Sequence, residues 1–268
     1  MSGMKLPYFE VAAFTSRPFG GNPAGVCLLE KPLPDALLAS IAAENNLAET
    51  AFVVPREGGF EIRWFTPARY EIDLCGHATL ASGHVLVRHR NFQEDAIRFY
   101  SPRSGALGVA REDDRLVLDF PVRTLEPSAI SDELVAALGA KPRELFQGRD
   151  YFAVFASAAE ILALEPDYDR LKQLPNEGVI VTAPGDDCDF VSRFFVPKHG
   201  IEEDQVTGST HCNLIPFWAE RLGRNKLFAR QLSQRGGELF CELKGDRVGI
   251  GGHALTYLTG EIEVPDAP

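Results

Sequence analysis

The sequence predicts an α+β fold built from two similar lobes, and two observations support this class. Strand-like segments rich in valine, isoleucine, phenylalanine and leucine outnumber helical segments, and the two kinds do not alternate regularly. The second observation is an internal repeat, because moving the chain by 132 residues superposes the segment that starts at Ser101 on the one that starts at Ser233. We therefore expect a duplicated scaffold rather than a doubly wound sheet.

The individual elements follow from hydrophobic periodicity and from turn and capping residues. In the first half, strands are predicted at residues 5–13, 25–29, 50–54, 60–66, 97–101, 105–111 and 115–119. Helices are predicted from Pro34-Asp35 to Asn45, over residues 76–89, from Ser131-Asp132 onward and over residues 208–222. The segment GGNPAGV, which contains Asn22, is typical of a tight turn before a strand.

The repeat divides the predicted elements into two equivalent sets. Without gaps it aligns Ser101 with Ser233, Arg103 with Arg235, Gly105 with Gly237, Leu107 with Leu239, Asp114 with Asp246 and Arg115 with Arg247. The same shift aligns Gly76 with Gly208. The alternative is two unrelated sets of hairpins that share turn residues. Duplication predicts an N-terminal lobe at residues 1–122 and a C-terminal lobe at 123–254, joined by a linker near 121–128, and leaves open the return of a C-terminal strand, 255–268, to the first lobe.

Composition excludes several classes of function. The 268 residues carry a net charge of -11 and no basic run, which argues against binding to nucleic acid. The five cysteines never form a CxxC pair, so a disulfide framework and a zinc ribbon are both disfavoured. The chain starts with a strand-like alternation rather than a signal peptide, and no apolar run is long enough to cross a membrane. We expect a cytoplasmic protein.

Two glycines that begin predicted helices, Gly76 and Gly208, are the first candidates for a binding site. The free amides at a helix N-terminus, together with the positive end of the helix dipole, bind carboxylate or phosphate oxygens. Taken singly, each glycine is more simply interpreted as a turn or cap residue. Their equivalent places in the repeat, each beside polar residues, favour a shared role in holding one small acid.

Acid–base chemistry has a separate candidate in Glu49. This carboxylate stands between a helix end and an apolar strand, where partial desolvation would suit it to taking and returning a proton. The alternative is a solvated glutamate at a strand entry. Cys75 beside His77, and His211 beside Cys212, also permit a cysteine-nucleophile hypothesis.

No metal and no nucleotide cofactor are predicted. His77 and His84 lie two helical turns apart, which is too far to share one ion unaided, and there is no HExxH motif. Neither a GxGxxG motif nor a Walker motif is present.

The segments NPAGV, NLAET-F, DLCGHATLA, DQVTGSTH and LIPFWAERLG follow one another along nearly the whole chain. In this order they resemble the PhzF (phenazine biosynthesis F-like) family. The resemblance implies a diaminopimelate-epimerase-like fold, in which two pseudo-symmetric lobes each wrap a rolled mixed β-sheet around a central helix. It also implies proton transfer without a cofactor, commonly an isomerisation, by a homodimer.

The resemblance also assigns roles to residues. The catalytic positions of the family fall on Glu49, His77 and Asp204, and its substrate-binding loop positions fall on Gly76, Gly208 and Ser209. Asn22, Cys75 and Thr207 complete the set of residues predicted to bind the substrate. Related epimerases use two facing cysteines as bases. Here the first position is Cys75 and the second is Thr207, whose alcohol cannot serve as a base near neutrality. The acid–base role therefore falls on Glu49.

Together these observations predict a cofactor-independent isomerase that moves a proton on a small carboxylate, by an allylic shift or by epimerisation, with its active site between the lobes. Two alternatives remain at this stage. One is a non-catalytic protein that binds small acids or serves as a scaffold, and the other is a thiol-dependent enzyme that uses Cys75.

Overall fold

The computed structural model describes residues 3–265 and shows an α+β chain. The first elements are β1 (Gly3–Ala13), β2 (Asn22–Leu28), α1 (Asp35–Asn45), β3 (Glu49–Arg56), β4 (Gly59–Phe65), β5 (Glu71–Ile72), α2 (Gly76–His89), β6 (Ala96–Ser101), β7 (Gly105–Glu112) and β8 (Arg115–Pro121). They are followed by β9 (Glu126–Pro127), α3 (Asp132–Leu138), β10 (Glu144–Gln147), β11 (Tyr151–Val154), α4 (Ala158–Leu162), α5 (Tyr168–Gln173), β12 (Val179–Pro184) and β13 (Phe190–Phe195). The last are a 3₁₀ turn (Pro197–His199), β14 (Glu203–Asp204), α6 (His211–Leu222), β15 (Lys226–Gln231), β16 (Gly237–Lys244), β17 (Arg247–Gly252) and β18 (Ala254–Pro265).

The chain divides into two compact units. Among the described residues, unit 1 consists of 3–119 and 251–265, and unit 2 is Phe120–Ile250. The sequence placed its boundaries after residues 122 and 254, whereas the chain passes between the units after residues 119 and 250. Positions 266–268 of the predicted C-terminal strand lie outside the described residues.

Unit 1 is a mixed sheet with a buried helix against it. Strand β18 pairs antiparallel with β1, and β1 with β2; β2 then runs parallel to β3. Strand β3 pairs antiparallel with β4, β4 runs parallel to β6, and β6, β7 and β8 form an antiparallel meander. Helix α2 packs on β1, β2 and β3. Nearly all its residues from Gly76 to Leu86 are buried, which is why its sequence is apolar or small on every side.

Unit 2 repeats the same order of strand pairings. Strand β9 pairs antiparallel with β10, β10 antiparallel with β11, and β11 runs parallel to β12. Strand β12 then pairs antiparallel with β13, β13 runs parallel to β15, and β15 pairs antiparallel with β16. Helix α6 packs on β15 and β16. The two units therefore have one topology, as the 132-residue repeat predicts.

A bidentate ion pair occupies the same place in both units. Arg63 in β4 donates from Nε and Nη2 to the two carboxylate oxygens of Glu71 in β5, at 2.7 and 2.8 Å. In unit 2, Arg193 in β13 donates in the same way to Glu203 in β14, at 2.8 and 2.9 Å. Each arginine also lies over the ring of the phenylalanine two residues further along its strand. Such a specific arrangement, made twice, supports duplication of the scaffold.

The predicted strands of the first half are confirmed within a few residues, and the helices that end at Asn45 and His89 are confirmed as they stand. Two expectations were wrong. Asn22 is the first residue of β2 and not part of the preceding turn. Helix α6 begins at His211 and not at Gly208, because the intervening residues form tighter turns in which the amides of His211 and Cys212 bond to carbonyls three residues back.

Each unit has its own hydrophobic core. In unit 1 it includes Leu38, Phe52 and Phe65, and in unit 2 it includes Leu134, Val181 and Phe195. Within residues 3–265, no helix combines the length and the apolar character that crossing a membrane requires.

Candidate active site

Three elements of unit 1 bring their first residues together. Strands β2 and β3 are parallel, with Ala24 opposite Glu49, so both strands begin at the same edge of the sheet. Asn22 opens β2 and Glu49 opens β3, while Cys75 and His77 stand at the start of α2, which packs on both strands. The turn into β2 requires Gly21, whose φ of +67° and contact with the Ala13 carbonyl leave no room for a side chain.

The side chains form a chain of polar contacts around the His77 imidazole. Nε2 of His77 lies 3.2 Å from Oε2 of Glu49, and the two side chains are only 5% and 18% exposed. On the other side of the ring, Nδ2 of Asn22 lies 3.3 Å from Nδ1 of His77. Because an amide NH₂ can only donate, this contact makes Nδ1 the acceptor and leaves the Nε2 proton to point at Glu49.

The surroundings of His77 favour the protonated form of its ring. Burial disfavours the imidazolium, but the hydrogen bonds to Cys75 and Glu49 and the negative charge of Glu49 outweigh it and raise the pKa of His77 well above its ordinary value. When Nδ1 is protonated, Asn22 can turn its amide and present Oδ1 instead of Nδ2, because one amide offers both a donor and an acceptor. The site can therefore accommodate both charge states of the ring.

Cys75 lies against the same imidazole. Its Sγ is 3.5 Å from Nδ1 and 3.9 Å from Nε2 of His77. Burial, and after it the charge of Glu49, raise the pKa of the Cys75 thiol to about 11, although His77 acts in the opposite direction. The sulfur is therefore a thiol near neutral pH and a poor nucleophile.

The N-terminus of α2 offers backbone donors beside this group. Cys75 is the N-cap residue in an extended conformation, and no side chain caps the helix. The first amides of an α-helix, here those of Gly76 and His77, have no partner within the helix. Together with the helix dipole they form a site suited to a carboxylate.

Glu49, Cys75 and His77 also form a group that could hold a metal ion. Each offers one ligand atom, and the three atoms lie within 4.8 Å of one another. No local motif reveals this group, because Glu49 comes from a strand and the other two residues from a helix start.

The predicted residues of unit 2 lie in one segment that hydrogen bonds hold in place. Thr207 donates from Oγ1 to Oδ2 of Asp204 at 2.6 Å. The amide of Gln231, at the end of β15, donates from Nε2 to the Asp204 carbonyl at 2.8 Å and accepts from the Thr207 N–H at 2.8 Å. Gly208 is buried and Ser209 half-buried in the turns that lead into α6.

Sequence reasoning missed Gln231, which is 1% exposed. A signal was present: in β15, Leu227, Ala229 and Gln231 share the buried face of an alternating strand, so a glutamine stood at a core position. The other histidine named beside a cysteine, His211, is neutral. Burial lowers its pKa to about 4, although Nδ1 donates to the Thr207 carbonyl at 2.8 Å.

The structure thus brings Asn22, Glu49, Cys75, Gly76 and His77 together in unit 1, and Asp204, Thr207, Gly208 and Ser209 together in unit 2. The catalytic role of Asp204, a shared role of the two sets, and the predicted homodimer stay predictions.

The two duplicated α+β units, each a mixed sheet with a helix packed on it, define a protein of the epimerase fold. A predicted epimerase from Pseudomonas aeruginosa shares this fold, with a TM-score of 0.71, 17% identity and coverage of 96% of this chain and 99% of that one.

The family of this chain is shown by a family model and by proteins with much higher sequence identity to it. The family model described as phenazine biosynthesis-like protein (PhzC-PhzF) matches residues 11–260. An uncharacterized isomerase of Pseudomonas aeruginosa is 49% identical, over 97% of this chain and 100% of that protein. The crystal structure of a PhzF-family phenazine biosynthesis protein from Enterococcus faecalis has a TM-score of 0.94 and 48% identity, and covers 97% of this chain and 99% of its own. The chain belongs to the phenazine biosynthesis-like (PhzF) family and is an enzyme of the isomerase type.

Proposed function

We propose that the enzyme moves a proton between two positions of a small carboxylate substrate without a cofactor, with Glu49 as the acid–base group. The observation that supports this most directly is the Glu49–His77 pair, at 3.2 Å and largely withdrawn from water. A carboxylate in such a place can remove a proton from an acidic C–H and return it elsewhere, giving an allylic shift or, at the same carbon, epimerisation.

His77 supports this cycle through its two ring nitrogens. In the neutral ring, Nε2–H donates to Glu49 and holds one carboxylate oxygen in place, while the other oxygen is left to face the substrate. Because its pKa is raised, the ring can also take up a proton and stabilise negative charge that builds up on the substrate. Asn22 fixes the orientation of the ring in both states.

The N-terminal amides of α2 are the proposed anchor for the substrate carboxylate. They lie next to His77 in the chain, so an acid held there would present its neighbouring C–H to the same edge of the sheet from which Glu49 starts.

Glu49 is favoured over Cys75 as the base because of the protonation of the sulfur. A thiol with a pKa of about 11 supplies little thiolate at neutral pH, and this disfavours the thiol-dependent alternative. Cys75 is proposed to line the site instead.

Deuterium exchange tests the assignment of Glu49. Candidate small acids with an acidic C–H are incubated with the enzyme in D₂O, and incorporation is followed by NMR, which also distinguishes an allylic shift from epimerisation by the carbon that gains deuterium. Glu49→Gln keeps the size of the side chain but removes the base, so exchange should fall by about 10²–10⁴-fold.

Glu57→Gln is the matched control, because Glu57 is an exposed glutamate in the turn between β3 and β4. The Glu57→Gln variant should exchange deuterium at the same rate as the parent enzyme. Normal exchange in Glu49→Gln would show that another group is the base.

A further inference from the structure

The group of Glu49, Cys75 and His77 has a feature that proton transfer does not use, which is the nature of its donor atoms. A thiolate, an imidazole nitrogen and a carboxylate oxygen together are the ligands typical of zinc, whereas magnesium and calcium prefer sites made of oxygen alone. The acid–base cycle proposed above needs the carboxylate and the imidazole but has no task for a sulfur ligand.

The distances suit one ion. In a tetrahedral site with bonds of about 2.0–2.3 Å, neighbouring donor atoms lie about 3.3–3.6 Å apart. Here Nε2 of His77 lies 3.2 Å from Oε2 of Glu49 and 3.9 Å from Sγ of Cys75, and all three donors lie within 4.8 Å of one another. Rotations of the side chains that move atoms by about 1 Å are enough to reach bonding geometry.

The surroundings supply an outer partner and balance the charge. An ion on Nε2 requires the ring proton on Nδ1, and Asn22 can accept that hydrogen bond by presenting Oδ1, much as a carboxylate or backbone carbonyl does for other metal-bound histidines. The thiolate that forms on metal binding and the carboxylate together neutralise a divalent cation.

We propose that Glu49, Cys75 and His77 form a zinc-binding site, in which Oε2, Sγ and Nε2 each bind one ion and water takes the fourth position. Binding displaces the Cys75 proton to solvent, with no change of oxidation state.

This site has a consequence for activity, which rests on the proposed function. Zinc would occupy the carboxylate oxygen and the ring nitrogen that the proton transfer requires, so the metal-bound enzyme should be inactive and a chelator should restore it. Zinc would thus be a reversible inhibitor and not a cofactor.

Metal binding is tested directly and without an activity assay. The full chain is stripped with a chelator and titrated with Zn²⁺ in competition with a chromophoric chelator. It is then titrated with Co²⁺, which produces an absorption band in the near ultraviolet when it binds a thiolate. One equivalent of metal and this band are expected. Cys75→Ala should abolish the band and weaken zinc binding at least about 100-fold, since it removes a ligand rather than an outer partner.

Cys188→Ala is the control, because Cys188 is a half-buried cysteine beside acidic residues in unit 2 and is the other thiol that zinc could reach. The zinc stoichiometry and the cobalt absorption band of the Cys188→Ala variant should match those of the parent protein. Glu49→Gln, a conservative change at a second ligand, should weaken binding while keeping the thiolate band, and the thermal unfolding of each variant shows whether it is folded.

Two results would overturn the proposal: no stoichiometric binding to the parent chain, or binding that survives in Cys75→Ala. Either would leave the deuterium-exchange result of the metal-free enzyme untouched. Conversely, a failure of Glu49→Gln to slow exchange would remove the assignment of the base and leave the zinc site standing.

Discussion

At the scale of single residues, the site depends on amides that can serve as donor and acceptor at once. Asn22 holds one nitrogen of His77 and can do so in either protonation state of the ring. Gln231 likewise serves as donor and acceptor in unit 2, where its amide donates to the Asp204 carbonyl and accepts from the Thr207 N–H. Both side chains are buried, so they can keep their partners in one arrangement without competition from water.

Replacing Gln231 by leucine should destabilise unit 2. The change leaves the buried Thr207 N–H without its acceptor and removes a donor from the Asp204 carbonyl, and we expect the free energy of unfolding to fall by about 1–3 kcal/mol. Urea unfolding measures it. Gln173→Leu, at an exposed position in α5, is the control and should change stability by less than about 0.5 kcal/mol. Equal stability of the two variants would contradict this account of Gln231.

At the scale of elements, the duplication is visible as repeated contacts rather than repeated catalytic groups. The Arg63–Glu71 pair ties β4 to β5, and the Arg193–Glu203 pair ties β13 to β14. In each unit this short strand leads toward the residues of the predicted site. Glu49, in contrast, aligns with Val181 under the 132-residue shift, so the proposed acid–base group has no counterpart in unit 2.

Removing one charge from the repeated pair should lower stability in a similar way in both units. Glu71→Gln removes the bidentate partner of Arg63, which keeps its contact with Asp35, and Glu203→Gln removes the carboxylate partner of Arg193. The side chains of Glu71 and Glu203 are only 10% and 13% exposed. We expect each change to cost about 1–3 kcal/mol in urea unfolding. Asp169→Asn breaks the exposed pair with Lys172 and should cost less than about 1 kcal/mol. Comparable effects of all three would mean that burial of the pair does not matter.

At the scale of the whole molecule, each unit contains a neutral histidine that couples stability to pH: His84, half-buried, in unit 1 and His211, buried, in unit 2. Burial, helped by His89 and Arg88, lowers the pKa of His84 to about 4, and burial lowers the pKa of His211 to about 4 against the hydrogen bond to Thr207. In the unfolded chain a histidine has a pKa of about 6.5. Between these values the unfolded chain binds more protons than the folded one.

The free energy of unfolding should therefore fall as the pH is lowered from about 6.5 to about 4, by at most about 3 kcal/mol for each histidine. His84→Gln and His211→Gln should each remove about half of this slope and the double variant most of it. Denaturant unfolding between pH 4 and 7.5 measures the slope. A full slope in the double variant would assign the acid sensitivity to other groups.

Much of this architecture could be predicted because it depends on local chemistry. Alternation and turn residues gave the strands of the first half, and the apolar helix from Gly76 to His89 was correct at both ends. The start of α6 was wrong because Gly208 to Thr210 form tight turns that the helical pattern of apolar residues does not distinguish from a helix.

The sequence by itself determined the set of chemical groups and the duplicated order of elements, since both depend only on residue types and their spacing along the chain. Only the tertiary structure decided which groups meet. The parallel pairing of β2 and β3 joins the starts of strands 27 positions apart, from Asn22 to Glu49, and α2 adds His77 and Cys75 to the same place. Distances between such groups depend on strand register and helix packing, which no local pattern encodes. For the same reason, the sequence could name Glu49 and His77 as catalytic candidates but could not show the donor set that they form with Cys75.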